Sequence, residues 1–345
     1  MTAPTTTVRP AAVRSGRIPV RHSGRDALLV GLFGTLLTLA WSWQPSVWFD
    51  EAATVSATMR SWPELGRMLQ SIDAVHGLYY AGMHLWLDLA GYSPFTLRAP
   101  SAVCVGAAAA LTVLLVGSRA SRRTAVLAGI VFCLLPRVTW MGAEGRSYAL
   151  TATLAVALTL VFLAAWRRGP APRRIRALWW TLYGITAFVA TVTFIYLAFL
   201  VAAHGATALW ALWAGRRRDR SVRASLLGWS VAAGGAAVLL VPFALSVVRQ
   251  SGQVSWIAPI SWGSWHGVFV TQWFYLNPWF AVVGWVVLVI GLITLIRAAR
   301  RHRLPGSAAP ALSHRNPSLL AIALPWLVVP TLGVIGVSAL VSPLY

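Results

Sequence analysis

Lysine is missing from this chain and acids are scarce: all 29 basic residues are arginine, and only eight are Asp or Glu. Charged residues make up 11% of the 345. A soluble domain carries roughly 25%, so an ordinary water-facing surface is excluded. There are only two cysteines, Cys104 and Cys133, and both fall inside apolar runs. They read as small buried hydrophobes, with no disulfide framework or metal pair. Also absent are a Walker loop, a strand-borne GxGxxG, an HExxH and a GxSxG. Nucleotide chemistry on a soluble domain and zinc proteolysis therefore find no support. A net charge of +21 would suit nucleic acid. The arginines sit at the flanks of apolar runs, however, where they already have a role as topology determinants, and nucleic acid is set aside.

What the chain does have is hydrophobicity: 58% of residues, with a mean hydropathy of +0.68. Apolar runs of about 20 residues separated by arginine clusters mark an all-α polytopic membrane protein. Residues 1–26 read as a basic cytoplasmic tail and 27–341 as the transmembrane domain, with 342–345 as a short extracytoplasmic end. The first apolar run, Ala27 to about Trp43, lacks a small-x-small cleavage signal and reads as a retained span. Further spans are expected near 97–117, 124–141, 147–166, 177–193, 194–214, 225–248, 277–297 and 317–341. The stretch 177–214 is too long for one crossing of a roughly 30 Å core, so it is split near Thr193–Tyr196.

Residues 44–96 hold five of the eight acids: Asp50, Glu51, Glu64, Asp73 and Asp88. Gly77–Ala90 could be mistaken for a span. If it does not cross, 23 of 29 arginines share the N-terminal side and six of eight acids face the other. That bias makes 44–96 one extracytoplasmic loop with helices lying on the membrane surface, and gives nine spans, N-terminus in and C-terminus out. Within the loop, Asp50 is expected to cap a helix from Glu51 to about Ser61, and Trp62-Pro63-Glu64 to start the next. Residues 249–275, rich in Trp and His, form a second outer loop.

Three clusters could carry chemistry. The adjacent Asp50 and Glu51 offer a general base with a neighbouring acid, or a cation site; the plain alternative is a helix cap and a solvated acid. Asp73 and His76, three apart, share a face if helical, with Tyr79 and Tyr80 close behind as hydroxyl donors. His76 could meet a phosphate or a metal, or simply be hydrogen-bonded. Glu144 and Arg146 lie in the turn between the third and fourth spans, just before Tyr148. They are either an ion pair anchoring that turn or a second acid and a phosphate-binding arginine converging on Asp50. Only His204 lies well inside an apolar run, which argues against a proton-coupled transporter.

Four elements in order, Trp48-Phe49-Asp50-Glu51-Ala52, Asp73-x-x-His76-Gly77-x-Tyr79-Tyr80, Leu97-Arg98-x-Pro100-Ser101 and Glu144-x-Arg146-x-Tyr148-Ala149-Leu150, resemble the GT-C glycosyltransferases. The likeness is to the bacterial branch related to protein O-mannosyltransferases and lipid A aminoarabinose transferases, and covers roughly residues 27–166. It implies a GT-C-like helix bundle in the cell (inner) membrane. The donor would be a polyprenyl-phosphate sugar, mannose-type or related, and the acceptor a protein, lipid or glycan hydroxyl, with inversion. By this similarity Asp50 and Glu144 are catalytic and able to hold a divalent cation (Mg, Mn, Ca or Zn). Glu51, Asp73, His76, Tyr79, Tyr80, Arg146 and Tyr148 are implied in substrate binding. Family members usually continue past this point of the chain, so a short or C-terminally truncated member is expected. The alternatives are a non-catalytic relative and a lipid-linked sugar flippase or transporter.

Overall fold

The computed structural model describes residues 20–213, 219–261, 264–301 and 317–340. Among them every regular element is helical. The expected tail up to residue 19, Arg216–Arg218, Trp262, residues 302–316 and the end from residue 341 lie outside the described residues. In chain order come α1 (Val20–Leu39), α2 (Phe49–Thr58), α3 (Trp62–Ser71), a 3-10 turn (Ala74–His76) and α4 (Gly77–Ala90). Next are α5 (Pro94–Gly117), α6 (Arg122–Leu134), α7 (Pro136–Gly142), α8 (Tyr148–Arg167), α9 (Arg173–Thr193) and α10 (Leu197–Ala211). α11 (Arg220–Arg249) runs into a second 3-10 turn (Ser251–Val254). A π turn (Gly267–Thr271), α12 (Gln272–Phe274), α13 (Pro278–Arg301) and α14 (Leu319–Leu340) follow.

Six described helices are long and apolar enough to cross a membrane: α5, α8, α9, α11, the Pro278–Arg297 part of α13, and α14. Their outer faces stay apolar, with Leu227, Val231, Val238 and Val287 all exposed. In water such a surface would be a liability; in lipid it is the expected exterior, because every backbone polar group is satisfied within its own helix. The chain is a polytopic helical membrane protein.

The expected span at 124–141 is not straight. α6 and α7 meet at a 65° bend, and together they count as a seventh candidate span. Pro136 supplies no N–H and excludes the helical conformation at Leu135, which is extended (φ −63°, ψ 129°). The break expected near Thr193–Tyr196 falls there, with Phe194 extended between α9 and α10. Asp50 is not the cap of α2, as the sequence had suggested. The helix starts two residues earlier, at Phe49, with Trp48 as its N-cap, so Asp50 sits inside its first turn. α3 starts as expected, with Glu64 accepting from the Ser61 amide at 2.9 Å.

α1 packs on α5 at glycine-lined surfaces: a methyl on Gly106 would collide with the Gly31 carbonyl and the Thr35 side chain. Small residues let helices approach this closely in lipid. Deeper in the bundle, His204 bonds the Thr159 hydroxyl at 3.1 Å and the Tyr183 hydroxyl at 3.0 Å, while Trp326 Nε1 donates to Thr159 at 3.0 Å. The intramembrane histidine is thus engaged at both nitrogens and ties α8, α9, α10 and α14 together. Replacing His204 with Leu takes that partner from the buried Tyr183 hydroxyl, while Thr159 keeps the Ala155 carbonyl and Trp326, and should cost about 1–3 kcal/mol, read as a lowered midpoint of thermal unfolding in detergent.

The helix ends gather into two groups. At one end Arg122 forks onto Asp26 at 2.6 and 2.8 Å, Arg119 donates to the Pro317 carbonyl at 2.6 Å, and Gly169 packs on Ser221. At the other end the two expected outer loops clasp each other. Gln250 accepts from the Ala74 amide at 2.9 Å and donates to the Leu69 carbonyl at 2.9 Å, and Gln253 accepts from the Asp73 amide at 3.3 Å. The acidic clusters singled out from the sequence all lie at this second end.

Candidate functional site

The site is built on a wholly buried ion pair. Glu51 is 0% exposed and Arg98, near the start of α5, is 2% exposed. Arg98 Nε donates to Glu51 Oε1 at 2.7 Å and Nη2 to Oε2 at 2.5 Å. The other guanidinium protons go to the Ser42, Pro45 and Ser46 carbonyls at 2.6, 2.9 and 3.2 Å. Glu51 Oε1 also accepts from the Gly145 amide at 2.7 Å. A single carboxylate therefore fixes α2, the turn after α1, α5 and the turn before α8. Gly145 is required at that contact, since a Cβ there would come within 2.6 Å of Leu97. Glu51 has no surface to offer a ligand. Its role here is to position what lies beside it.

Beside it stands Asp50, whose side chain is 33% exposed. Arg146 Nε lies 4.0 Å from Asp50 Oδ2, and Arg146 Nη1 donates to the Asp50 carbonyl at 3.3 Å. The same guanidinium reaches Tyr80 Oη at 3.3 Å and His76 Nε2 at 3.0 Å. Tyr80 passes its own proton to Asp73 Oδ2 at 3.0 Å. Asp73 sits in the left-handed region (φ 59°), outside any helix, so it shares no helical face with His76. The two still converge through Tyr80 and Arg146.

Burial and the Arg146 charge hold His76 down to about 4, so the ring is neutral near pH 7. Arg146 can only donate, so His76 Nε2 must accept and the ring proton belongs on Nδ1. That nitrogen is buried and has no partner among the described residues. It is a donor held ready for a ligand oxygen.

Glu144 is also unpartnered: it is 2% exposed, and neither carboxylate oxygen has a hydrogen-bond partner among the described residues. Burial first, then the Glu51 and Asp50 charges, push it up to about 8 against the opposing pull of Arg146 and Arg137. Asp50 is thus near enough for its charge to be felt at Glu144. The folded protein keeps a proton on Glu144 that the unfolded chain, near 4.5, gives up. Its contribution to stability is complete below the unfolded value and is lost as pH rises toward 8. Glu144→Gln, neutral at every pH, should raise the unfolding midpoint relative to wild type at about pH 8.5 and leave it unchanged at about pH 4.5. A difference independent of pH would contradict this protonation state.

Two further features frame the mouth. Trp140 stacks on Tyr148 (5.8 Å) and on Tyr275 (5.2 Å), faces Trp48 at 6.2 Å, and carries the Arg137 guanidinium at 4.6 Å. Tyr275 holds φ 56°, unusual outside glycine, at this cluster. A groove of about 260 Å³ runs between α4 and α5, lined by Leu78, Tyr79, Met83, Trp86 and Pro100, with Arg146 the one charged residue on its walls.

Of the residues singled out in the sequence, Asp50, Asp73, His76, Tyr80, Glu144 and Tyr148 gather around Arg146, Tyr79 lines the adjoining groove, and Glu51 lies beneath. The sequence reading quoted Arg98 without a role and missed Trp140 and Tyr275. A lone arginine in an apolar run was a usable signal for Arg98, since such a charge needs a partner. For Trp140 it was only the spacing of four residues before Glu144. Among the described residues no group of three or more His, Cys, Asp and Glu side chains is close enough to hold a metal ion. Comparison with protein-family models, curated proteins and solved structures gave no match.

Proposed function

We propose that the protein is a GT-C-type glycosyltransferase of the inner membrane, moving a mannose-type or related sugar from a polyprenyl phosphate to an extracytoplasmic hydroxyl. The observation that carries this reading is Asp50: a partly exposed carboxylate set against Arg146, which is itself joined to neutral His76 and lines an apolar groove. An isoprenoid tail needs an apolar channel open to lipid, and its phosphate needs a cation beside that channel. The groove and Arg146 have this form.

In the proposed reaction Asp50 takes the proton of the acceptor hydroxyl as its oxygen forms a bond to the anomeric carbon. The bond from that carbon to the phosphate oxygen breaks on the opposite face, and the configuration inverts. The departing polyprenyl phosphate takes the electron pair. Arg146 and His76 Nδ1–H stabilise the charge that develops there. Glu144, neutral and unpartnered, donates a hydrogen bond to a sugar or phosphate oxygen. Asp73 holds Tyr80, and through it Arg146. Tyr148 and Trp140 offer ring faces for the sugar.

Asp50 and Glu144 would also suit a divalent cation of the Mg²⁺ or Mn²⁺ kind, which keeps waters and takes one or two carboxylates plus a substrate phosphate. Glu144, with both oxygens unpartnered among the described residues, would have to give up the proton that burial keeps on it to join that donor set. When bound, such an ion would neutralise phosphate charge.

The proposed topology has nine crossings: the seven candidates together with α1 and the shorter apolar α10. Alternation of helix ends between the two groups of contacts supports it, as does the arginine bias of the sequence. Analysis of envelope glycans and lipids in a deletion strain tests the function. The strain should lose one glycosylated species, restored by the wild-type gene. An unchanged glycan and lipid profile would remove the reading.

A further inference from the structure

A second groove, unrelated to the mouth described above, runs between α9 and α11 at the arginine-rich end. Its volume is about 520 Å³, and its walls are the small and apolar faces of two helices that start side by side. Arg173 and Arg176 stand at the opening, followed inward by Trp180 and Gly184 on α9 and by Gly228 and Gly235 on α11. From the opening to its far end it spans about 15 residues of α11, or roughly 22 Å at 1.5 Å per residue. That exceeds the hydrocarbon depth of one leaflet, about 15 Å.

Three observations give this groove an occupant. The opening is basic: Arg176 is shared with a polar recess of about 320 Å³ that also takes in Arg220 and Asp219. Arg176 Nη1 donates to the Gly169 carbonyl at 3.3 Å, and Asp219 Oδ1 is occupied by the Ser221 amide and hydroxyl at 2.8 and 2.7 Å. Three arginines therefore face one carboxylate. The N-terminal ends of two long helices add partial positive charge at the same point. Further in, Trp180 is 5% exposed, and its indole N–H lies against Gly228 with no hydrogen-bond partner among the described residues. It lies four residues beyond Arg176, about 6 Å deeper, the order in which a phosphate and then an ester carbonyl follow one another in a glycerophospholipid.

We infer that this groove is a binding site for an anionic phospholipid of the leaflet facing the arginine end. Its phosphate sits on Arg173 and Arg176, an ester carbonyl accepts from Trp180 Nε1, and one acyl chain lies against Leu227, Val231 and Gly235. Basic recesses between transmembrane helices hold anionic headgroups by this combination of charge and apolar contact. The site depends on the membrane reading of the fold and is independent of the glycosyltransferase proposal.

The test is native mass spectrometry of the full chain titrated with phosphatidylglycerol and, separately, phosphatidylcholine. Wild type should retain phosphatidylglycerol at least roughly tenfold better than phosphatidylcholine, as two interfacial arginines imply. Gly235→Leu adds bulk to the groove wall at a position where a Cβ meets nothing within 4 Å. Arg173→Gln with Arg176→Gln removes the headgroup charge. Each should lower phosphatidylglycerol retention by about tenfold, whereas Arg174→Gln, off the groove, should not. Equal retention of the two lipids by wild type would overturn the site. So would Gly235→Leu with wild-type retention, which would leave only a diffuse surface charge. An Arg174→Gln effect equal to that of the double variant would do the same.

Discussion

Asp50→Asn should insert, fold and bind donor lipid like wild type, yet transfer sugar about 10²–10⁴ times more slowly. The substitution keeps the shape and the neighbours: Asp50 holds the site through its backbone carbonyl, which accepts from Arg146, and its side chain carries no hydrogen bond that an amide would break. What disappears is the ability to take a proton. The negative charge 4.0 Å from Arg146 Nε also disappears, which leaves that guanidinium more available to phosphate. Donor binding is therefore expected to stay level or tighten while turnover falls. A variant that lost binding and turnover together would assign Asp50 to holding the site, not to chemistry.

Arg98→Leu should behave in the opposite way. It leaves the Glu51 carboxylate charged with no exposure to water and strips three carbonyls of their donor. Breaking a buried pair from one side costs about 3–5 kcal/mol, enough to remove most of the folded population of a marginal membrane protein. Activity should fall in step with the folded fraction. Exchanging the partners, Glu51→Arg with Arg98→Glu, should not rescue. The carbonyls of Ser42, Pro45 and Ser46 need a donor at position 98, and the Gly145 amide needs an acceptor at position 51. Thermal unfolding in detergent measures this directly. An Arg98→Leu protein with a wild-type midpoint would show that the pair does not hold the mouth together.

The two adjacent acids show how far a sequence reading reaches. Composition and arginine bias pointed to a helical membrane protein and separated a non-crossing acidic loop, because both follow from solvent transfer alone. The clusters at Asp50, His76 and Glu144 were recognisable as rare ionisable groups in an apolar chain. Which of Asp50 and Glu51 faces water was not legible. They are neighbours in sequence but about 100° apart around a helix, and the start of α2 at Phe49, two residues earlier than expected, sets which one turns inward. The partner that buries Glu51 lies 47 positions away in α5. The same holds for the bond from Arg146 to His76 across 70 positions, and for the clasp of Gln250 on the loop at Ala74. These are tertiary contacts with no local periodicity to announce them. The Pro136 bend was the exception, since a proline inside an apolar run is a local signal that the span reading passed over.

The central claim is that Asp50 is the base at a polyprenyl-phosphate sugar site. Its most direct measurement is the release of free polyprenyl phosphate from a labelled polyprenyl-phosphate hexose by purified protein in proteoliposomes. An envelope extract supplies the acceptor, and wild type is compared with Asp50→Asn. The account predicts steady release by wild type, with Asp50→Asn reduced about 10²-fold or more at unchanged donor binding. Full release by Asp50→Asn, or binding of no donor by a folded wild-type protein, would contradict it.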